Sequence, residues 1–154
     1  MTSSDDLEMQ YFCRLLLLVQ ESTRVLRAIF DNHIPPPQLM LHLTVPILKQ
    51  KKLLPYQIDH IQHHQCSSAF DVALLSVLLK HFVYTSQTTD PIWKEKDNSD
   101  IKKLYPGRQC DVSQVVRIRN VRHEVSFTIE CYIRILINNT CTLRSFWNFS
   151  AVWA

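Results

Sequence analysis

Glycine is almost absent from this sequence, since Gly107 is the only one in 154 residues. Phosphate-binding loops and dinucleotide-binding turns need several glycines, because the backbone there approaches its ligand where a Cβ would clash. Tight β-hairpins also favour Asn-Gly or Asp-Gly pairs in their two-residue turns. The scarcity of glycine therefore excludes these nucleotide sites and favours a helical domain over a hairpin-rich β fold.

A large net charge and paired cysteines are missing as well. The net charge is +3, so a surface that binds nucleic acid has to be a local patch. The five cysteines contain no C-x-x-C pair, and the acidic start of the chain is unlike a signal peptide. The run LLLL at 15–18 is far shorter than the roughly 20 apolar residues that cross a bilayer. We therefore expect a soluble, cytoplasmic protein with reduced thiols, no membrane contact and no small-molecule cofactor.

The N-terminal segment has a clear helical periodicity. Apolar residues recur there at steps of three, four and seven: Met9, Phe12, Leu16, Val19, Leu26 and Phe30. Asp5 and Glu8 have the spacing of a capping box, and the prolines at 35–37 cannot continue a helix. The pattern predicts one long helix over about 5–32.

Shorter helices are predicted in the middle of the chain. The stretch "QLMLHLTVPILKQKKLL" indicates two short pieces divided at Pro46, and "PYQIDHIQ" indicates a helix that begins at Pro55. The stretch "SSAFDVALLSVLLKHF" predicts a central helix over about 69–84, with Ser68 and Asp71 as its capping box.

A long charged connection follows over residues 85–111. Connections of this length are uncommon, and Trp93 and Tyr105 within it indicate that it folds back onto the domain. Asp111 or Ser113 then caps a last helix.

The C-terminal part of the chain carries two competing patterns. Apolar and polar residues alternate over 125–138, and many are β-branched, which is typical of a strand. The same residues also share one helical face, so helix and strand both stay open. We take residues 1–125 as one helical domain, its last helix cut short, and residues 126–154 as a divergent, irregular tail.

Two segments carry candidate chemistry. The stretch "HIQHHQC" at 60–66 has the donors of half a zinc site, but no second pair of ligands stands elsewhere, so we expect a solvated helix end and no metal. The stretch "RIRNVRHEV" at 117–125 combines guanidinium groups, which hold phosphate, with an imidazole, which can exchange a proton with a ribose hydroxyl. On a helix, Arg119 and His123 share a face, whereas Arg117 diverges from His123 by about 120°.

A simpler interpretation is that "RIRNVRHEV" forms the solvent-exposed face of a helix. In this interpretation Arg117, Arg119, Asn120 and Arg122 face solvent. The buried side of the same helix then consists of Val115, Ile118 and Val125.

Ordered sequence blocks over about residues 10–125 resemble the HEPN domain of the type found in the DAZ-interacting zinc-finger ubiquitin ligase. The blocks are "LRAIFDNHIPPP", "KKLLPYQIDHI", "SSAFDVALLSVLLKHF", Trp93 and "DIKKLYPGRQCDVSQVVRIRNVRHEV". The resemblance implies an all-α bundle with immune or RNA-related roles, whose active members are metal-independent ribonucleases. It also places Arg122 at the motif arginine, His123 where the family has asparagine, and Thr128 where it has the catalytic histidine.

We therefore expect a mainly α, HEPN-like helical bundle with an irregular C-terminal tail. Its expected role is non-catalytic protein interaction or assembly, through a protein partner or a homodimer. Weak RNA binding would use Arg117, Arg119 and Arg122. The alternative is an endoribonuclease that uses Arg119 and His123, with Arg122 as a further catalytic candidate.

Overall fold

The computed structural model describes residues 3–107 and 111–139. Within these ranges the chain forms seven α-helices and no β-strand, so the predicted mainly α fold is confirmed. The helices are α1 (Ser4–His33), α2 (Leu39–His42), α3 (Val45–Gln50), α4 (Pro55–His64), α5 (Val72–Leu78), α6 (Asn98–Leu104) and α7 (Asp111–Asn139). A π-helical turn, Leu79–Val83, continues α5, and short 3-10 helices cover Pro36–Gln38, Ser67–Ala69, Thr85–Gln87 and Pro91–Lys94.

The long N-terminal helix lies where its periodicity predicts, but its cap is different. Ser3 Oγ accepts from Asp6 N at 3.2 Å, and Asp6 Oδ2 accepts from Ser3 N at 3.3 Å, so the capping box uses Ser3 and Asp6. The prediction of Asp5 and Glu8 was wrong because a hydroxyl two residues earlier already satisfies the first free amide groups. The helix ends at His33, directly before the proline run, as predicted.

The middle helices follow the sequence with one shifted boundary. Pro46 stands in the first turn of α3, and Pro55 opens α4. The central helix α5 begins at Val72 with Asp71 as its N-cap, because Asp71 Oδ1 accepts from Leu74 N at 2.9 Å. The predicted box between Ser68 and Asp71 is therefore wrong, and Ser68 belongs to the preceding 3-10 helix.

The long connection folds back onto the domain, as its aromatic residues indicate. Ile92 and Trp93 are buried, and Trp93 Nε1 donates to Gln87 O at 2.8 Å. Ile101 on α6 is also buried, and Tyr105 packs against the same core. The connection thus contains two short 3-10 helices and α6, and both the 3-10 helix Pro91–Lys94 and α6 contribute apolar side chains to the core.

The C-terminal ambiguity is resolved in favour of helix as far as Asn139. The sequence from Asp111 to Asn139 contains no glycine or proline, so nothing in it stops a helix once α7 has begun. The part of the predicted irregular tail that lies over 126–139 is therefore regular helix. The rest of that predicted tail, residues 140–154, lies outside the described residues.

The chain divides into two compact units after Arg122. In the first unit, all seven helices place side chains in one hydrophobic core, which includes Leu26, Phe30, Leu39, Leu48, Ile61, Phe70, Leu75, Ile101 and Val116. The rings of Phe30 and Phe70 meet edge-on with centroids 6.4 Å apart. Burial of each such ring removes a large apolar area from water, so this core stabilises the positions of the helices that carry the candidate site.

Candidate functional site

Arg119, the main catalytic candidate, is bound to the backbone of another segment. Its Nη1 donates to Trp93 O at 2.8 Å, and its Nη2 donates to Glu95 O at 2.7 Å. These carbonyls lie at the end of the 3-10 helix Pro91–Lys94, where backbone oxygens lack intrahelical donors and favour a cation. Arg119 therefore fastens the folded-back connection to α7.

The side chain of Arg119 is partly shielded from water. The residue is half-buried, and burial lowers the pKa of its guanidinium below the ordinary value. Arginine begins so far above neutrality that the group stays charged. A charged donor in a half-buried position forms stronger hydrogen bonds than a neutral one, which favours a structural role for this side chain.

Asn120 extends these contacts into a network. Its side chain is buried, its Oδ1 accepts from Arg119 Nη2 at 3.3 Å, and its Nδ2 donates to Asn98 Oδ1 at 3.2 Å. Asn98 Nδ2 in turn donates to Arg117 O at 3.3 Å. We call Arg119, Asn120 and Asn98, together with the backbone carbonyl of Arg117, the α7 polar network. The interpretation that placed Asn120 on the solvent side of the helix was wrong, because its amide satisfies buried polar groups between α7 and α6.

The other two arginines differ from Arg119. Arg122 Nη2 lies 3.2 Å from Asp71 Oδ2, in an ion pair whose side chains are 36% and 55% exposed. Asp71 also caps α5, so this pair connects α7 to the start of that helix. Arg117 is half-buried and contributes its backbone carbonyl, not its guanidinium, to the α7 polar network. The three arginines predicted to bind RNA therefore do not form one uniform exposed row.

His123 is exposed on α7, at the first residue of the second unit. Thr128, which the family resemblance places at the catalytic histidine position, donates its hydroxyl to Glu124 O at 2.9 Å. This is an ordinary bond from a helical threonine to the preceding turn. The guanidinium of Arg119 contacts residues of the first unit, whereas His123 belongs to the second unit. The pairing of Arg119 and His123 as catalytic residues stays a prediction.

The histidine-rich stretch at the end of α4 makes backbone contacts. His60 Nε2 lies 3.0 Å from Ala69 O, and His63 Nδ1 lies 2.8 Å from Asp59 O. Cys66 Sγ lies 2.9 Å from Ser68 Oγ, and this hydrogen bond lowers the pKa of the exposed thiol. Across residues 3–107 and 111–139, no three side chains among His, Cys, Asp and Glu come together as metal ligands.

A small positive cluster surrounds the π-helical turn. Lys80 Nζ lies 5.8 Å from the centre of the Trp93 ring, which is a cation–π distance. His81 is half-buried beside it, and burial lowers the pKa of His81, with Lys80 and Lys51 lowering it further. The imidazole is therefore neutral in the folded protein near pH 7.

Sequence reasoning missed a second apolar stripe on α1. Of the six apolar residues predicted to face inward, only Leu26 and Phe30 are buried, and Met9 is exposed. Another set is exposed although it is apolar: Leu7 (57%), Tyr11 (58%), Leu18 (50%) and Val25 (46%). We call these four residues the α1 row. Their spacings of four, seven and seven are the signal that could have revealed them, because such spacings keep residues on one side of a helix.

The α1 row is distinct from the buried face of the same helix. At 100° per residue, its four members lie within about 40° of one another around the helix axis. They lie about 100° from Leu26 and Phe30, which enter the core. The helix thus has one face that the first unit covers and a neighbouring apolar face that it leaves in contact with water.

None of the helices within residues 3–107 and 111–139 combines the length and the hydropathy of a membrane span. Comparison with protein-family models, curated proteins and solved structures finds no match to this chain.

Proposed function

We propose that this chain is a non-catalytic, HEPN-like helical module that binds protein through the α1 row. The observation that carries the proposal is the exposure of four large apolar side chains on one side of a single helix. Single exposed apolar residues are ordinary on protein surfaces, but four of them on one side of one helix indicate an interaction surface. From Leu7 to Val25 the row extends over about 27 Å, long enough to pack against a second helix.

The HEPN-like part of the proposal rests on the order of the sequence blocks. The block "LRAIFDNHIPPP" covers the end of α1 and the proline run after it, and "KKLLPYQIDHI" covers the turn after α3 and the first seven residues of α4. The blocks "SSAFDVALLSVLLKHF" and "DIKKLYPGRQCDVSQVVRIRNVRHEV" cover α5 with its π-helical turn, and α6 with much of α7. A helical domain of this element order supports the family assignment as a proposal.

The non-catalytic part of the proposal rests on Arg119. A ribonuclease arginine has to hold the scissile phosphate, whereas both terminal nitrogens of Arg119 already donate to the carbonyls of Trp93 and Glu95. Releasing them would leave two backbone oxygens without partners, at a cost of about 1–3 kcal/mol each.

The same contacts lower the expected affinity for RNA, since Arg119 is occupied and only Arg117 and Arg122 remain as candidate phosphate contacts. A salt titration of RNA binding tests that weaker activity, because its slope reports the number of phosphates neutralised.

Site-specific photo-crosslinking in cells tests the proposed interaction surface. A benzophenone amino acid replaces Tyr11 in one variant and Tyr56 in the matched control. Both tyrosines are exposed, at 58% and 68%, but Tyr56 lies on α4 and is not part of the α1 row. We expect covalent protein adducts from position 11 well in excess of those from position 56. Equal yields from both positions, or no adduct from position 11 in a folded variant, would refute the proposal.

A further inference from the structure

Lysines from two elements lie beside His81. Lys51 is the C-cap of α3, and Lys80 stands in the π-helical turn that continues α5. Both lie close enough to His81 that their charges lower the pKa of its imidazole. Lys52 follows Lys51 directly, and consecutive Cα atoms are about 3.8 Å apart, so its long side chain can reach the same anion. We call Lys51, Lys52 and Lys80 the lysine cluster.

The charge of the lysine cluster is not neutralised by the described part of the protein. Within residues 3–107 and 111–139, no Asp or Glu side chain forms an ion pair with any of its three ammonium groups. Lys51 and Lys80 are half-buried, which screens their charges less than full exposure would. Cations that the fold holds near one another repel, and a bound anion relieves that repulsion.

Lys80 is oriented by an aromatic ring. Its Nζ lies 5.8 Å from the centre of the ring of Trp93, and Trp93 is buried. A cation–π contact holds the ammonium group but leaves its charge in place, because the ring carries no net charge. Lys80 also lies in a π-helical turn, a rare conformation that is frequent at functional sites. Lys80 is therefore fixed in position and still attracts an anion.

Lys52 occupies a backbone position that favours glycine. Its φ is 60°, in the left-handed region. The N–H of Lys52 donates to Lys49 O at 2.9 Å, and the N–H of Leu53 donates to Leu48 O at 3.1 Å. These two bonds form the common helix ending in which glycine adopts the left-handed conformation. The turn gains nothing from a lysine there, and a charged side chain at a strained position points to a role outside the fold.

We propose that the lysine cluster binds an acidic peptide segment of a partner protein, as a second interaction surface that does not depend on the α1 row. Lysine ammonium groups are point charges on flexible stems, so they can pair with carboxylates that are spaced along an extended peptide. Charge pairs of this kind accelerate association and select the partner more than they add affinity. We therefore expect a weak contact, with a Kd of about 100 µM.

Phosphate-bearing ligands fit the lysine cluster less well. Phosphate sites commonly add arginine side chains or the backbone amides of a helix N-terminus, whereas Lys51 stands at a helix C-terminus. Single-stranded nucleic acid also needs exposed aromatic faces on which its bases stack. Trp93 is only 5% exposed and its ring already contacts Lys80, so it does not offer such a face. Carboxylates need only the ammonium groups that the cluster provides.

Fluorescence anisotropy of a labelled peptide of alternating Glu and Ser residues, titrated with the full chain, tests the proposal. Lys51→Gln and Lys80→Gln should each weaken binding by about threefold to fivefold, and the double variant should weaken it by at least about tenfold. Lys49→Gln is the matched control, because it removes the same charge from an exposed position on α3. Lys49 precedes Lys51 by two residues, so the two diverge by about 160° around the helix. The control should bind like wild type.

Lys52→Gly separates binding from folding. Glycine suits the left-handed backbone, so we expect a Tm equal to or above that of wild type, measured by circular dichroism. The same variant should bind the peptide about threefold more weakly, because one ammonium group is lost. NMR of the imidazole of His81 locates the contact. Bound carboxylates offset the charges of Lys51 and Lys80, so the pKa of His81 should rise when the peptide is added.

Four results would overturn the proposal. The first is no binding of the peptide by wild-type chain at about 500 µM. The second is a Lys49→Gln variant that binds as weakly as Lys51→Gln, which would indicate general attraction by net charge. The third is an unchanged titration of His81 with peptide bound. The fourth is tripolyphosphate or single-stranded RNA that binds through the cluster when the peptide does not, which would assign the site to phosphate.

Discussion

Replacing Arg119 with methionine should destabilise the fold, because Arg119 connects α7 to the segment after Trp93. Methionine keeps most of the apolar stem and removes the guanidinium, so the hydrogen bonds at 2.8 and 2.7 Å are lost. The side chain is only half-buried, so we count each bond from a charged donor at the lower end of its range, about 1–2 kcal/mol. The free energy of unfolding should fall by about 2–4 kcal/mol, which lowers Tm by about 5–12 °C in a domain of this size.

Denaturant titration and thermal unfolding, both followed by circular dichroism, measure this loss. Arg117→Met is the matched control, because the α7 polar network uses only the backbone carbonyl of Arg117. That variant should stay within about 0.5 kcal/mol of wild type. Arg119→Lys should fall between the two, since an ammonium cannot donate to both carbonyls with the geometry of a guanidinium. If Arg119→Met and Arg117→Met unfold at the same denaturant concentration, Arg119 is not a structural contact and the argument against catalysis loses its basis.

Three further changes test other contacts of the fold. Asn120→Ala and Asn98→Ala should each lower the free energy of unfolding, and a double-mutant cycle should give a coupling energy of about 1 kcal/mol between the two residues. Additive losses would show that the 3.2 Å hydrogen bond between them contributes nothing to stability. Asp71→Ala should cost about 1 kcal/mol through the lost cap of α5, whereas Asp71→Asn should cost about half of that or less, and equal losses would assign the effect to the ion pair instead. Burial lowers the pKa of His81, and the neighbouring lysines lower it further, so on acidification the unfolded chain binds this proton before the folded chain does. The free energy of unfolding should therefore fall as the pH drops below about 6.5, and His81→Gln should reduce that fall. Urea titrations at several pH values measure it, and the same pH dependence in both proteins would contradict the assignment.

All the described helices except α6 could be predicted from sequence because their signals are local, whereas α6 lies in the segment that was expected to be a connection. The periodicity of α1, the prolines after it and the apolar density of α5 each act within a few turns of chain. Boundaries were less certain because caps compete over two or three residues, as Ser3 and Asp71 show. The strand-like alternation after Val125 was misleading, since β-branched residues fit a helix when no glycine or proline interrupts it.

The roles of individual polar residues could not be predicted in the same way. Arg119 is one of three arginines in "RIRNVRHEV", and its guanidinium donates to backbone carbonyls more than 20 residues away. A carbonyl carries no sequence signature, so pattern analysis cannot identify an arginine that binds one. Asn120 shows the same limit, because its burial depends on Asn98 across the interface between α7 and α6. The spacing of the α1 row could have revealed it in the sequence, but the buried stripe on the same helix gives the stronger periodic signal.

Incubation of the purified chain with labelled single-stranded RNA, without metal, tests the central claim most directly. The claim is that "RIRNVRHEV" serves the fold and not catalysis. A His123→Ala variant of equal helicity is the control, because His123 is exposed and its loss should leave the fold intact. We predict that neither protein cleaves the RNA. Cleavage by the wild-type chain that is lost in His123→Ala would contradict the account and identify the stretch as an active ribonuclease motif.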